Sequence, residues 1–96
     1  MKTFDVRVLK AAIRPRDFYT SELSLAPPRG GVWHDGGLCP FHNDKTSGSF
    51  RIHLETGQYR CFACGAKGGD IVAFVQARYG LSFGDAAKKL SHDWGV

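Results

Sequence analysis

Four side chains near the middle of the sequence have the types and spacing of a metal site: Cys39-Pro-Phe-His42, then 18 residues, then Cys61-Phe-Ala-Cys64. In each pair two residues separate the ligands, the gap of a tight knuckle turn that aims both side chains at one point. Thiolate sulfur and imidazole nitrogen suit zinc, which accepts tetrahedral nitrogen–sulfur coordination without redox change. Four protein donors leave no position for a catalytic water, so the expected role is that of one structural zinc. Gly65, directly after Cys64, fits the backbone such a turn needs. A lone Cys-x-x-Cys is also the mark of a redox pair, but that reading wants a βαβ setting around Cys61, where the sequence reads as a hairpin. His34, His53 and His92 have no partner at ligand spacing and are read as ordinary histidines.

The elements that must bring the two knuckles together follow from pattern. Phe50, Ile52 and Leu54 alternate with Arg51, His53 and Glu55, the period of a half-buried strand. Thr56-Gly57 reads as a turn and residues 58–62 as the returning strand. Val32-Trp33-His34 reads as a further short strand. Upstream, residues 4–13 place Val6, Leu9 and Ile13 at helical spacing; Pro15 is read as ending that helix, and Asp17 as capping a short turn through Leu23. Residues 26–31, with two prolines and two glycines, read as a crossing loop. Downstream, Asp70 is expected to cap a helix from Ile71 to about Tyr79 with Gly80 as its stop, and Ser82 with Asp85 to open a second helix toward Leu90. The expected fold class is α+β: a small zinc ribbon with an antiparallel hairpin, flanked by short helices. It reads as one domain over residues 1–96, with a helical part at 1–30, the ribbon at 31–69 and helices at 70–92.

Length and composition agree with this. A chain of 96 residues buries a modest core, for which a metal staple is a reasonable expectation. All three cysteines fall between Cys39 and Cys64, and an odd number confined to one motif argues for metal use over a disulfide framework. No apolar run has the roughly 18–20 residues that span a bilayer, and the start lacks the apolar stretch of a secretory signal. A cytoplasmic location with no membrane partner is the expectation. The formal charge of +4 permits contact with nucleic acid without demanding it.

Strand parity makes a statement about faces. With Thr56-Gly57 as a two-residue turn, Leu54 lies opposite Tyr59, His53 opposite Arg60, Ile52 opposite Cys61 and Arg51 opposite Phe62. One face then gathers Phe50, Ile52, Leu54, Tyr59 and Cys61 as core and metal. The other gathers Arg51, His53, Arg60 and Phe62. Cations for phosphates beside an aromatic platform for bases are what sequence-tolerant single-strand binding uses, and Lys45 and Lys67 on the knuckle loops extend the track. The plain alternative is that these charges only solvate the open side of a small sheet. Gly65-Ala-Lys-Gly-Gly69 lacks the Gly-Lys-Ser/Thr end of a phosphate loop.

Leu38-Cys-Pro-Phe-His-Asn-Asp-Lys-Thr46 with Ser49-Phe50, and Tyr59-Arg-Cys-Phe-Ala-Cys-Gly-Ala-Lys-Gly-Gly-Asp70, closely resemble the zinc-binding domain of bacterial and phage DNA primases. The resemblance runs from about residue 37 to 91. It departs at Ser47-Gly48, where the family has a proline and one residue fewer. It implies the template-binding part of a primase: a zinc-dependent module that engages single-stranded DNA and supports RNA primer initiation beside a primase catalytic domain, with the replicative helicase a further possible partner. No carboxylate cluster for magnesium stands out among the nine scattered acidic residues, so no catalytic site is expected in this chain. The reading fits a piece of a longer primase and equally a free-standing protein. An alternative from another class is a structural or protein-interaction ribbon serving replication of a mobile element or phage.

Overall fold

The computed structural model describes residues 5–26 and 31–96. In chain order the elements are α1 (Val6–Ala12), α2 (Pro15–Glu22), β1 (Trp33–Asp35), β2 (Phe50–His53), β3 (Tyr59–Cys61), β4 (Lys67–Gly68), α3 (Ile71–Tyr79) and α4 (Phe83–Trp94). The four strands form one antiparallel sheet in the order β1-β2-β3-β4. The helices cover one side of it, which is the α+β ribbon architecture expected.

The helix boundaries follow local chemistry. Asp70 caps α3 by accepting the Ala73 N–H at 2.8 Å, and Gly80 closes it in the left-handed conformation. Ser82 caps α4 through the Asp85 N–H. That helix runs past Leu90 to Trp94, where Gly95 supplies a second left-handed stop. Pro15 opens α2 instead of merely closing α1. Proline has no N–H to lose in a first turn and its φ is already helical, so it sits at the start of the helix, with Asp17 inside the first turn and not at the cap. The expected start of α1 at residue 4, and most of the loop expected at 26–31, lie outside the described residues.

The hairpin register differs from expectation by two residues. Phe50 pairs with Cys61, Arg51 with Arg60, and Ile52 with Tyr59. The cause is a longer loop. The His53 N–H bonds the Gln58 carbonyl, the Gly57 N–H returns to the His53 carbonyl, and His53 Nδ1 accepts the N–H groups of Glu55 and Thr56. A shift by an even number leaves every side chain on its expected face. β1 begins at Trp33, although the Val32 carbonyl still accepts the Leu54 N–H. β4, on what the sequence reads as a knuckle loop, adds a short edge beside β3.

Aromatic rings fill the space between sheet and helices. Phe74 of α3 lies 5.3–6.4 Å, centroid to centroid, from Phe18, Tyr19, Phe41, Phe50 and Tyr59, mostly edge to face. The strands make room by placing glycine beside the two large sheet rings. A Cβ on Gly36 would come within 2.4 Å of Phe50, and one on Gly68 within 2.4 Å of Tyr59. Two polar ties lock the helices to this frame: Tyr19 donates to the Gly57 carbonyl at 2.7 Å in the interior, and Lys10 meets Asp70 at 3.0 Å. Among the described residues, no helix is long and apolar enough to cross a membrane.

Candidate metal centre and open sheet face

Cys39, His42, Cys61 and Cys64 converge, each offering one ligand atom, and those atoms lie within 4.8 Å of one another. Cys39 and Cys61 are buried, His42 is half-buried and Cys64 exposed. Zinc–sulfur bonds near 2.3 Å at tetrahedral angles require sulfurs about 3.8 Å apart, and a sulfur–nitrogen pair about 3.6 Å apart. The Cys39 and Cys64 sulfurs are 3.8 Å apart, and Cys61 Sγ is 3.9 Å from His42 Nδ1. Two of the donor pairs thus stand near tetrahedral spacing, and the nitrogen–sulfur donor set suits one zinc.

Each knuckle is shaped by its own backbone. The Phe41 N–H points at Cys39 Sγ at 3.4 Å, and the Gly65 N–H closes the second turn on the Cys61 carbonyl with Gly65 at φ 81°. Phe41, between the first two ligands, stacks on Tyr59 at 5.3 Å, so the knuckle is anchored in the aromatic core. Without a cation, three sulfurs this close do not all carry charge. Burial pushes the Cys39 thiol up to about 12. Burial also works against Cys61, but the N–H groups of Cys64 and Ala63 together with the neighbouring Cys39 and Cys64 thiols hold it below its ordinary value. A metal must therefore displace protons here, so its retention weakens as pH falls.

Asp44 completes the centre, and sequence reasoning did not single it out. One carboxylate oxygen accepts the Cys39 N–H at 2.9 Å, and the other stands 3.6 Å from His42 Nε2. His42 thus turns Nδ1 to the cluster and Nε2 to a carboxylate, the arrangement by which ligating histidines are oriented. The Cys39 N–H is the main reason the Asp44 carboxyl is held below its usual range. The signal available was an acidic residue two positions after His42.

The other face of the sheet carries a row of charge. Pairing places Asp35, Arg51, Arg60 and Lys67 side by side across all four strands. Asp35 spends one oxygen on the Gly37 N–H, and neither arginine has an ion pair among the described residues. Arg60 lies over the exposed Phe62 ring at 4.8 Å. His53 shares this face, but its Nδ1 is engaged in the hairpin loop. Lys45 is exposed in the loop after the first knuckle. Trp33, read beforehand only as a strand residue, also belongs here. It stands opposite His53 with the rings edge to face at 5.0 Å, and with Arg51, Arg60 and Phe62 it lines one cavity.

Comparison with known proteins agrees with this geometry. Residues 24–96 match the family described as the CHC2 zinc finger. The chain is 45% identical over 91 residues to a DNA primase of Lactococcus lactis and 38% identical over 93 residues to one of Streptomyces coelicolor, covering 95% and 96% of this chain. It is 52% identical over 60 residues, 62% of this chain, to a DNA primase of Deinococcus radiodurans. It spans only 10–14% of the length of these relatives. Among solved structures, the Aquifex aeolicus primase, comprising zinc-binding and RNA polymerase domains, superposes with a TM-score of 0.73 at 29% identity, over 98% of this chain and 22% of that one.

Proposed function

Because the chain belongs to the CHC2 zinc-finger family of DNA primases, we propose that it is the template-engaging module of a primase. In this reading it holds one structural zinc through Cys39, His42, Cys61 and Cys64 and lays single-stranded DNA across the open face of its sheet. Arg51, Arg60 and Lys67 meet phosphates, Phe62 offers a ring to a base, and Lys45 extends the track. His53 contributes by bracing the hairpin loop. Primer synthesis belongs to a primase catalytic domain acting with this module, with the replicative helicase a further partner and the cytoplasm the setting. The bound metal supplies a clamp and no open coordination position, so the work at the surface falls to side chains.

The observation that carries the reading is the row of three cations across neighbouring strands. Like charges directly opposite each other in a sheet are destabilising, and here Arg51 faces Arg60, which in turn faces Lys67. A polyanion lying across the row relieves that repulsion.

The test is fluorescence anisotropy with a short labelled single strand at several salt concentrations, on variants shown to retain zinc. Each phosphate contact on a single strand contributes a slope of about −0.7 in log affinity against log salt. Arg60→Ala should flatten the slope by roughly that amount. Phe62→Ala should weaken binding with the slope nearly kept, since stacking is worth about 1–3 kcal/mol per base. Lys88→Ala, on α4, is the control. Loss of binding in Lys88→Ala but not in the sheet variants would put the site elsewhere. No binding even at low salt would transfer the face to a protein partner.

A further inference from the structure

The open face is not flat. Between β1 and β3 it holds a cavity of ≈ 330 Å³ lined by Trp33, Arg51, Arg60 and Phe62. Pairing sets these residues in three successive rows: Trp33 beside His53, then Arg51 beside Arg60, then Phe62, whose N–H bonds the Ser49 carbonyl. Two aromatic rings therefore flank a pair of guanidinium groups. Resting on the reading above, we propose that this cavity is a slot for a single unstacked nucleobase together with its adjoining phosphate, with Trp33 as the stacking residue.

Three observations carry the assignment. The core rings of the sheet, Phe50 and Tyr59, are 0% and 3% exposed, whereas Trp33 and Phe62 on the open face are 44% and 67% exposed. Single exposed aromatics need no explanation, but two that line one cavity with two arginines make a surface suited to a flat ring bearing an anion. Next, Trp33 is braced. The His53 ring stands perpendicular to it, at an interplanar angle of 87°, and His53 is itself held by the N–H groups of Glu55 and Thr56. Ordering the ring beforehand lowers the cost of binding. Finally, Arg51 and Arg60 point the same way from adjacent strands, and Asp35, on the far side of Arg51, makes no ion pair with either among the described residues, leaving a place for a phosphate beside the stacked base. Arginine over an aromatic ring adds attraction to such stacks, and Arg60 already rides on Phe62.

The base could arrive within a strand or on a free nucleotide, and the experiment separates the two. In a Trp94→Phe background, tryptophan fluorescence of the zinc-loaded protein reports Trp33 alone. Three probes are titrated: a short oligothymidylate, an abasic oligonucleotide of equal length, and a nucleoside triphosphate. The oligothymidylate is expected to quench Trp33. The abasic strand is expected to bind by anisotropy without quenching. Trp33→Ala should weaken oligothymidylate binding by roughly 5- to 150-fold, the range of one stacked base, while leaving the abasic strand's affinity within about twofold; Trp33→Phe should recover most of the loss. Quenching by the triphosphate but not by oligothymidylate keeps the slot and assigns it to free nucleotides in place of a strand. If oligothymidylate binding depends on Arg51 and Arg60 while Trp33 fluorescence and Trp33→Ala affinity stay unchanged, the slot is wrong and the DNA reading of the face survives. Failure of all three probes at low salt overturns both.

Discussion

The two faces of the sheet are built from alternate residues of the same strands, yet they answer to different physics. On the inner face Phe50, Ile52, Tyr59 and Cys61 are at most 3% exposed, the two large rings have glycine beside them, and one end of the ladder runs into the metal cluster. The outer face has Trp33, Arg51, Arg60 and Phe62, whose polar groups make no ion pair among the described residues. Stability is concentrated on one side and unmet binding capacity on the other. A two-residue period lets a strand of three or four residues serve both purposes without compromise.

The largest expected effect is loss of the fold on metal removal. Structural zinc in small domains contributes about 10–16 kcal/mol of apparent binding energy at neutral pH. Chelation should abolish the far-ultraviolet circular dichroism spectrum of the native state, and Cys61→Ser should do the same, whereas His53→Ala should retain one equivalent of zinc by elemental analysis. An unchanged spectrum after chelation would mean that the aromatic core alone suffices and that the inner face does not depend on its metal end.

Next is Phe74→Ala, which removes the ring that Phe18, Tyr19, Phe41, Phe50 and Tyr59 share. A loss of about 3–5 kcal/mol by urea unfolding is expected for a fully buried phenylalanine. Because Phe41 sits between two zinc ligands, zinc release should also become faster.

Asp44→Ala should lower zinc affinity by about 10- to 100-fold, the usual cost of removing a carboxylate that orients a histidine ligand. Competition with a chelating dye measures it. Asp44→Asn should recover part of the loss, since an amide oxygen still accepts the Cys39 N–H. Equal affinity in wild type and Asp44→Ala would reduce Asp44 to a loop residue.

The smallest effect belongs to the outer face. Arg51→Ala should change stability by no more than about 0.5 kcal/mol in either direction, because the opposition to Arg60 that it ends is offset by the loss of Asp35 as a cross-strand neighbour of opposite charge. The same variant should lose affinity for single-stranded DNA. Destabilisation well beyond that range would show that the outer face supports the fold after all, and the contrast between faces would fail.

Much of this was legible in one dimension. Paired knuckles marked the four residues that converge, because a two-residue gap determines local geometry whatever the rest of the chain does. Asp70, Gly80 and Ser82 marked helix ends because capping is decided within a turn. The faces of β2 and β3 were readable because side-chain alternation is a property of the strand alone, and the two-residue error in register, being even, did not disturb it. What pattern did not reveal rests on contacts between distant segments. The hairpin loop lengthened because His53 gathers the loop N–H groups into itself. Asp44 became part of the metal centre by folding back on Cys39 and His42. Trp33 reached the arginine pair because β1 lies against β2 across an intervening loop and both knuckle ligands of the first pair, and no local period encodes which strand a short edge will choose. Local chemistry set the identity and facing of the parts; the closure of long loops decided which of them became neighbours.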